Sequence, residues 1–378
     1  MHHFGRTFFL SAALFCATGS AAEQVRLRVG MFVDNGSRNN GTLFWAQIFH
    51  RSPGVELTLL DGKDVRAGKL KGLDLLMVPG GSSDLQCQAL GDAGLAEIRR
   101  FVAEGGAYLG VCAGCYCALD MPGRLALIPY TVVKDGKGGE AALAMELFDR
   151  GAEVLGVPAG KYLVRYAHGP VMRPKAKSKA PAGAEVLGVY RASVSPAGAK
   201  GKNFFGAPAL LCGAYGKGKV VVTSFHPESR QGTQKLALGC VYTATGVKIN
   251  PVVPVKNHRP IRVGYYSPTI VGARCINEVF ALEGEADIDL HFVNPDDMDT
   301  GALEHLDALI FSAGSEKVYK SGLTPSRAAM IHRFMERGGM AFVSGNGEKY
   351  VPEHPNRRTL EVGTPWAPAV FAVAEKWK

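Results

Sequence analysis

The sequence predicts an α/β fold, a three-layer sandwich built on a mostly parallel sheet, followed by a second, truncated and degenerate copy of the same unit. Three observations carry this expectation. From Val25 onward, apolar runs rich in Val, Leu and Ile alternate with amphipathic segments, the pattern of strands buried on both faces and covered by helices. The 378-residue chain is 47% hydrophobic and 20% charged, a folded-protein composition, and it is longer than one hydrophobic core usually fills. Landmarks also recur at a nearly constant spacing: Arg28-Val29-Gly30 returns as Arg262-Val263-Gly264, Leu73-Asp74 as Leu306-Asp307, and Gly105-Gly106 as Gly338-Gly339.

Residues 1–22 read as an export signal. Arg6 supplies the positive start, Phe8 to Thr18 is an apolar run too short to span a bilayer, and Ser20-Ala21-Ala22 offers small residues for cleavage. Phe15 stands where a small residue would precede a lipid-modified Cys16, which disfavours a lipid anchor. A periplasmic or secreted location follows, and no later run is apolar and long enough to cross a membrane.

Arg26 to Val33 is a first strand, Leu43 to His50 a helix, Val55 to Leu60 a second strand and Leu73 to Val78 a third, closing in Pro79-Gly80-Gly81. Leu95 to Glu104 has helical spacing, with Ile98, Phe101 and Val102 on one side, and stops at Gly105-Gly106. A strand ending at Val111 follows. After a Pro/Gly-broken region come a strand at Ala184 to Val189 and a hairpin from Ala209 through Gly216-Lys217-Gly218 to Phe225. The first domain occupies residues 23–250, Pro251 to Pro260 is a proline-rich linker, and the repeat occupies residues 261–378. Phe204, Phe205 and Trp45 are expected in the core.

Forty-three basic residues against 34 acidic ones give a formal net charge of +9. The excess gathers in Arg173 to Lys179 and Gly216 to Lys219, read as a solvated loop and a tight turn, so no nucleic-acid partner is expected. Without Cys16, seven cysteines remain: Cys87, Cys112, Cys115, Cys117, Cys212, Cys240 and Cys275. The odd number fits one thiol kept free; the other six could form disulfides whose pairing spacing does not reveal. Cys112, Cys115 and Cys117 invite a metal reading, but no histidine stands near them at ligand spacing. No metal or cofactor is expected.

The chemistry lies in two distant motifs. Gly110-Val111-Cys112-Ala113-Gly114 places a cysteine among small residues at a strand-to-helix turn, where a strained backbone pushes sulfur into a cleft. Ser224-Phe225-His226-Pro227-Glu228 places a histidine just past another strand, with a carboxylate two residues on to hold its second nitrogen. Cys112 is the candidate nucleophile, His226 its base and Glu228 the group that orients it. Tyr166, His168 and Gly169 could line the mouth of the cleft. The repeat lacks this set: Gly345 stands at the position of Cys112, and no base follows the neighbouring Ser344.

Val78-Pro79-Gly80-Gly81, the run from Gly105 to Tyr116, and His226-Pro227-Glu228 resemble the class I glutamine amidotransferase-like superfamily, a flavodoxin-like sandwich, and most closely the biotin-protein ligase N-terminal domain family, including exported bacterial members. The resemblance covers about Val25 to Val247. It implies an oxyanion site at Gly80, Gly81 and Ala113, where backbone amides approach a substrate carbonyl. It also implies a substrate contact at Tyr116, the position where glutamine-hydrolysing members carry Gln. No synthetase or ligase catalytic region accompanies the motif, so ammonia transfer and biotin ligation are not expected. The reading is a thiol-dependent hydrolase of a small amide, peptide or ester, and the alternative is a ligand-binding or scaffolding protein that keeps the fold. Oligomeric state is not legible.

Overall fold

The computed structural model describes residues 26–37, 39–133, 139–180, 183–192, 204–229, 231–266, 273–293, 295–312 and 316–374. The export segment expected at residues 1–22 lies outside them. The first unit runs β1 (Leu27–Phe32), α1 (Asn39–His50), β2 (Val55–Leu60), α2 (Gly62–Arg66), β3 (Leu75–Val78), α3 (Ser83–Glu104), β4 (Ala107–Val111), α4 (Ala113–Ala118), β5 (Tyr130–Val132), β6 (Glu140–Leu147), α5 (Asp149–Leu155), β7 (Gly160–Ala167), β8 (Met172–Pro174), β9 (Glu185–Tyr190), β10 (Pro208–Tyr215), β11 (Gly218–Thr223) and α6 (Gln234–Thr245). The rest runs β12 (Ile261–Tyr266), α7 (Ala273–Gly284), β13 (Ile288–Val293), α8 (Pro295–Asp299), β14 (Ala308–Phe311), α9 (Glu316–Gly322), α10 (Pro325–Glu336), β15 (Met340–Val343), β16 (Arg357–Thr359) and α11 (Trp366–Phe371).

The large sheet has the order β2-β1-β3-β4-β11-β10-β9-β6-β7. Its first five strands are parallel, and from β11 outward each pairing is antiparallel. This is the expected α/β sandwich. Alternate residues of each central strand enter opposite cores: Leu75 and Met77 pack with Trp45, Phe49 and Val241, whereas Leu76 and Val78 pack with Ile98, Phe101 and Val102. Helices thus cover both faces, and the strands have no polar side to show.

The second sheet, β13-β12-β14-β15-β16, repeats the first four-strand order, all parallel. Equivalent residues make equivalent contacts. Arg28 chelates Asp74 (Nη2–Oδ1 3.1 Å) and Arg262 chelates Asp307 (2.7 Å). A Cβ at Gly106 would lie 2.3 Å from the Phe101 ring, and one at Gly339 would lie 2.4 Å from Phe334. Ile331, Phe334 and Met335 bury the α10 face that Ile98, Phe101 and Val102 bury in α3. The repeat has a fifth strand. Val222 pairs with Gly110 in the first sheet and Thr359 with Val343 in the second, so β16 stands where β11 does. Among the described residues the second copy has no counterpart of β5 to β10.

Three differences from the sequence reading have local causes. Helix α3 starts at Ser83 because the chain stays helical on both sides of Gly91, whose φ of 61° and ψ of 177° make a kink and not a stop. Phe205 is 58% exposed, with the Arg191 guanidinium over its ring, while Phe204 and Trp45 are buried as expected. The basic stretch after Arg173 is anchored rather than merely solvated: buried Asp120 accepts from Lys175 Nζ (2.8 Å), Ser178 Oγ (2.7 Å) and the Lys179 amide. Burial opposes the Asp120 charge, but these donors hold its carboxyl down at about 2.

The two sheets meet through α1 and α7. Phe44 packs edge-on against Phe292 (5.1 Å), His50 stacks on Phe280 (3.9 Å), and Arg51 pairs with the buried Glu283. Apolar residues of both sheets join in one continuous cluster through this junction.

Because the two glycine–phenylalanine contacts are equivalent and distant, Gly106→Ala and Gly339→Ala are each expected to destabilise by about 1–3 kcal/mol through overpacking, and their effects to add in the double variant. Urea denaturation measures both. The larger-than-additive loss that a shared contact would give is not expected.

Candidate functional site

Strand β4 delivers Cys112 to the carboxyl end of the parallel sheet, and α4 starts at the next residue. The cysteine has φ 53° and ψ −100°, a region that L-residues avoid at a cost of about 1–3 kcal/mol. Two hydrogen bonds hold it there: its amide donates to Thr223 O of β11 (2.9 Å), and its carbonyl accepts the first α4 bond, from Tyr116 N (3.0 Å). Small residues are a steric requirement at this crossing. A Cβ on Gly114 would lie 2.0 Å from Val78 O, so α4 packs directly on the β3 backbone. The repeat keeps the same bend, with Gly345 at φ 56°, but without a side chain.

Strand β11 lies beside β4, and this adjacency brings His226 to Cys112. The His226 amide donates to Arg165 O of β7 (2.8 Å), and its Nδ1 bonds Glu228 Oε1 (2.8 Å). That bond fixes the tautomer and turns Nε2 away from the carboxylate. Cys112 lies near enough to the same ring to raise it, and its thiol donates to Ala167 O (3.3 Å). A sulfur far away in the chain thus joins the imidazole and its carboxylate in one cluster. It is closed: Cys112 and His226 are each 4% exposed and Glu228 is fully buried.

Burial works against a charged His226, but Glu228 and then Cys112 outweigh it and raise the ring to about 10 from its ordinary 6.5. Glu228 Oε2 is buried with no hydrogen-bond partner among the described residues, so the imidazolium is the main compensation for that carboxylate. A raised folded-state value means that the proton stabilises the native protein.

Two glycines make room for this cluster. A Cβ on Gly80 would sit 2.6 Å from His226 Cε1 and 3.6 Å from Cys112 Cβ, and one on Gly41 would sit 2.5 Å from Glu228 Oε1 and 3.2 Å from His226 Nδ1. Gly80 was expected at the site on other grounds. Gly41, in the first turn of α1, was not, and neither was Ala167; neither carries a side chain that marks chemistry. The carboxylate lies against the positive end of the α1 dipole, which favours its charge. Gly81 is exposed at the rim with φ 143°, next to Ser82, whose amide donates to Gly36 O (2.8 Å). Ala113 begins α4 beside the sulfur. Tyr116 is partly buried, and burial first, then the nearby Cys112, push its phenol upward.

The remaining sequence candidates separate. Tyr166 is buried, with its hydroxyl on Gly169 O (2.7 Å), and it packs edge-on with Tyr190 and Phe204. His168 is exposed at φ 56°. The three close-set cysteines face three different partners: Cys112 meets Ala167 O, Cys115 meets Met172 Sδ (3.5 Å) and Cys117 meets Cys87. A cavity of about 900 Å³ opens between the two units, lined by Arg165, Tyr166 and Ser229 on one side and by Asp289 and His291 on the other; Cys112, His226 and Glu228 do not line it.

Replacing Glu228 with Gln removes the largest influence that raises the ring. We expect the His226 titration, followed by NMR of isotope-labelled histidine, to fall by roughly one unit or more. The stability that the ring proton supplies is complete below about 6.5 and is lost as pH rises through about 10. Urea stability of the wild type should therefore fall across that window, and that of His226→Gln should fall less.

Among known proteins, residues 70–121 match the family described as biotin-protein ligase, N terminal. No curated protein matches the chain. Among solved structures, a ThuA-like protein from Bacteroides uniformis aligns with 60% of this chain and 93% of its own at 12% identity and a TM-score of 0.43. PurLQS from Thermotoga maritima aligns with 57% of this chain and 97% of its own at 15% identity and 0.41, and a ThuA-like protein from Parabacteroides merdae with 60% and 93% at 18% and 0.38. At these identities and scores the likeness is one of shape and assigns no chemistry. The matched segment runs from the loop after α2 through β3, α3, β4 and α4 and contains Gly80, Gly81, Cys112 and Tyr116. The chain is an α/β protein whose residues 70–121 match the family described as biotin-protein ligase, N terminal.

Proposed function

We propose that this protein is an exported thiol hydrolase that cleaves a small amide, peptide or ester through Cys112. The observation that carries the reading is a strained, buried cysteine that shares the Gly80 neighbourhood with a buried histidine, itself held by a carboxylate. Sulfur attacks the substrate carbonyl as the thiolate, its proton having passed to His226, and the amides of Gly81 and Ala113 receive the oxyanion. His226 gives the proton to the leaving amine or alcohol as the carbon–heteroatom bond breaks, which leaves a thioester on Cys112. The ring then takes a proton from water, hydroxide adds to the thioester, and carboxylic acid and thiol are regenerated. Glu228 keeps the ring oriented through both steps. Tyr116 presents a phenol and an aromatic face to the substrate in place of a carboxamide, which argues against glutamine.

The near-complete burial of Cys112 and His226 favours a second reading, a binding protein that keeps the fold without turnover. Kinetics of alkylation by iodoacetamide, mapped by peptide mass spectrometry, separate the two when combined with an ester and amide panel. For the hydrolase, Cys112 labels fastest of all cysteines, His226→Ala slows it at least about tenfold, and an acyl adduct at Cys112 accumulates with an activated ester. Labelling of Cys112 no faster than that of Cys240, with no acyl adduct, would leave only the binding protein.

Geometry at the two glycines gives a further expectation. Gly80→Ala and Gly41→Ala each force the His226–Glu228 pair aside, and Cys112 labelling should drop about tenfold or more while circular dichroism retains the native spectrum. Unchanged labelling in both variants would contradict the placement of this pair as the activating group.

A further inference from the structure

A second pair of sulfurs lies apart from the proposed nucleophile. Cys87 Sγ on α3 and Cys117 Sγ on α4 are 3.3 Å apart, and the two residues are 6% and 1% exposed. Both are otherwise poorly partnered, with Cys117 making only long contacts to Gln86 Oε1 (3.6 Å) and Ser83 O (3.9 Å). Beside them lies Arg124, whose guanidinium pairs with Asp84 and reaches Ser83 Oγ (3.4 Å), and whose Nε is buried without a partner among the described residues. A cation against two sulfurs, with an unused buried donor, favours a thiolate there.

We propose that Cys87 and Cys117 form a dithiol–disulfide pair that tethers α3 to α4. Cys87 is the more exposed of the two (6% against 1%), and the contact of Cys117, then Arg124, lowers its thiol despite burial, so Cys87 is the sulfur that starts the reaction. A low-molecular-weight disulfide is the oxidant. The Cys87 thiolate attacks one of its sulfurs and expels one thiolate, leaving a mixed disulfide on Cys87. Cys117 then loses its proton, attacks the Cys87 sulfur and expels the second thiolate, which takes up a proton. Two protein thiols are oxidised to one disulfide while the reagent is reduced to two thiols.

The other cysteines do not compete for this pairing. Cys112 is engaged with His226 and Ala167 O, and Cys115 packs on Met172. The tether has a mechanical consequence. Helix α3 starts just after Gly80-Gly81 and α4 just after Cys112, so the cross-link joins the helix that follows the Gly81 amide to the helix that follows the sulfur. Pairing is independent of turnover and is tested without any substrate.

The reduced full chain is equilibrated with oxidised glutathione, quenched, alkylated with N-ethylmaleimide and digested with trypsin without reduction. The expected product is one cross-linked peptide pair, lighter by two hydrogens than its separate parts, with fragment spectra assigning the bond to Cys87 and Cys117. In Cys87→Ser, Cys117 should be recovered alkylated. Reduction of the oxidised wild type should lower the melting temperature by roughly 5 °C or more. Recovery of both cysteines alkylated in the wild type, or a bond from Cys87 to Cys112 or Cys115, overturns the pairing. A cross-link whose reduction leaves the melting temperature unchanged overturns the tether. The wild-type mapping decides the pairing even where a serine variant fails to fold.

Discussion

The contact between the His226 ring and its flanking backbone is the constraint on which the rest of the site depends. The ring lies between Cys112 and Glu228 with Gly80 on one side and Gly41 on the other, each close enough that a methyl group would displace it. Glu228 has one oxygen on the ring and the other unpartnered in a buried setting. A carboxylate in that position is tolerable only with the imidazolium beside it and the α1 terminus behind it. The cluster is therefore mutually dependent: the charge holds the ring, the ring holds the charge, and the glycines give both their room.

The repeat shows how little of this belongs to the sheet. Its strand order, its Arg–Asp clasp and its glycine–phenylalanine contact match those of the first unit. It even keeps the positive-φ bend after β15. Yet the bend carries Gly345 where the first unit has Cys112. The fold supplies a place for chemistry, and the side chains placed there decide whether any is possible. What the second unit contributes is contact: α7 packs on α1, the helix whose first turn presses on Glu228, and a cavity between the units is walled on one side by the repeat.

Much of the fold was legible in the chain because parallel strands buried on both faces leave an unbroken apolar run, and the repeated landmarks announce two units. Cys112 and His226 were legible as candidates because each follows such a run, and a cysteine among Gly and Ala, often just a small buried residue, gains meaning when a histidine with a nearby carboxylate follows another strand. Gly41 and Ala167 were not. They act through a missing side chain and a backbone carbonyl, and nothing in local composition marks either. Phe205 was misplaced because hydrophobicity cannot tell which of two adjacent aromatics faces in, and helical spacing was read only from Leu95 because the kink at Gly91 breaks the period of α3 before it.

The sequence by itself determined the alternation of strands and helices, the doubling of the unit and the residue types able to do thiol chemistry, all of which follow from local periodicity and residue identity. Only the tertiary structure decided that β11 lies beside β4, that β16 takes the corresponding place beside β15 in the repeat, and that Cys117 turns to Cys87 rather than to Cys115 or Cys112. Strand adjacency, sheet register and the direction of a side chain on a short helix are set by contacts between segments far apart in the chain, and no local pattern encodes them.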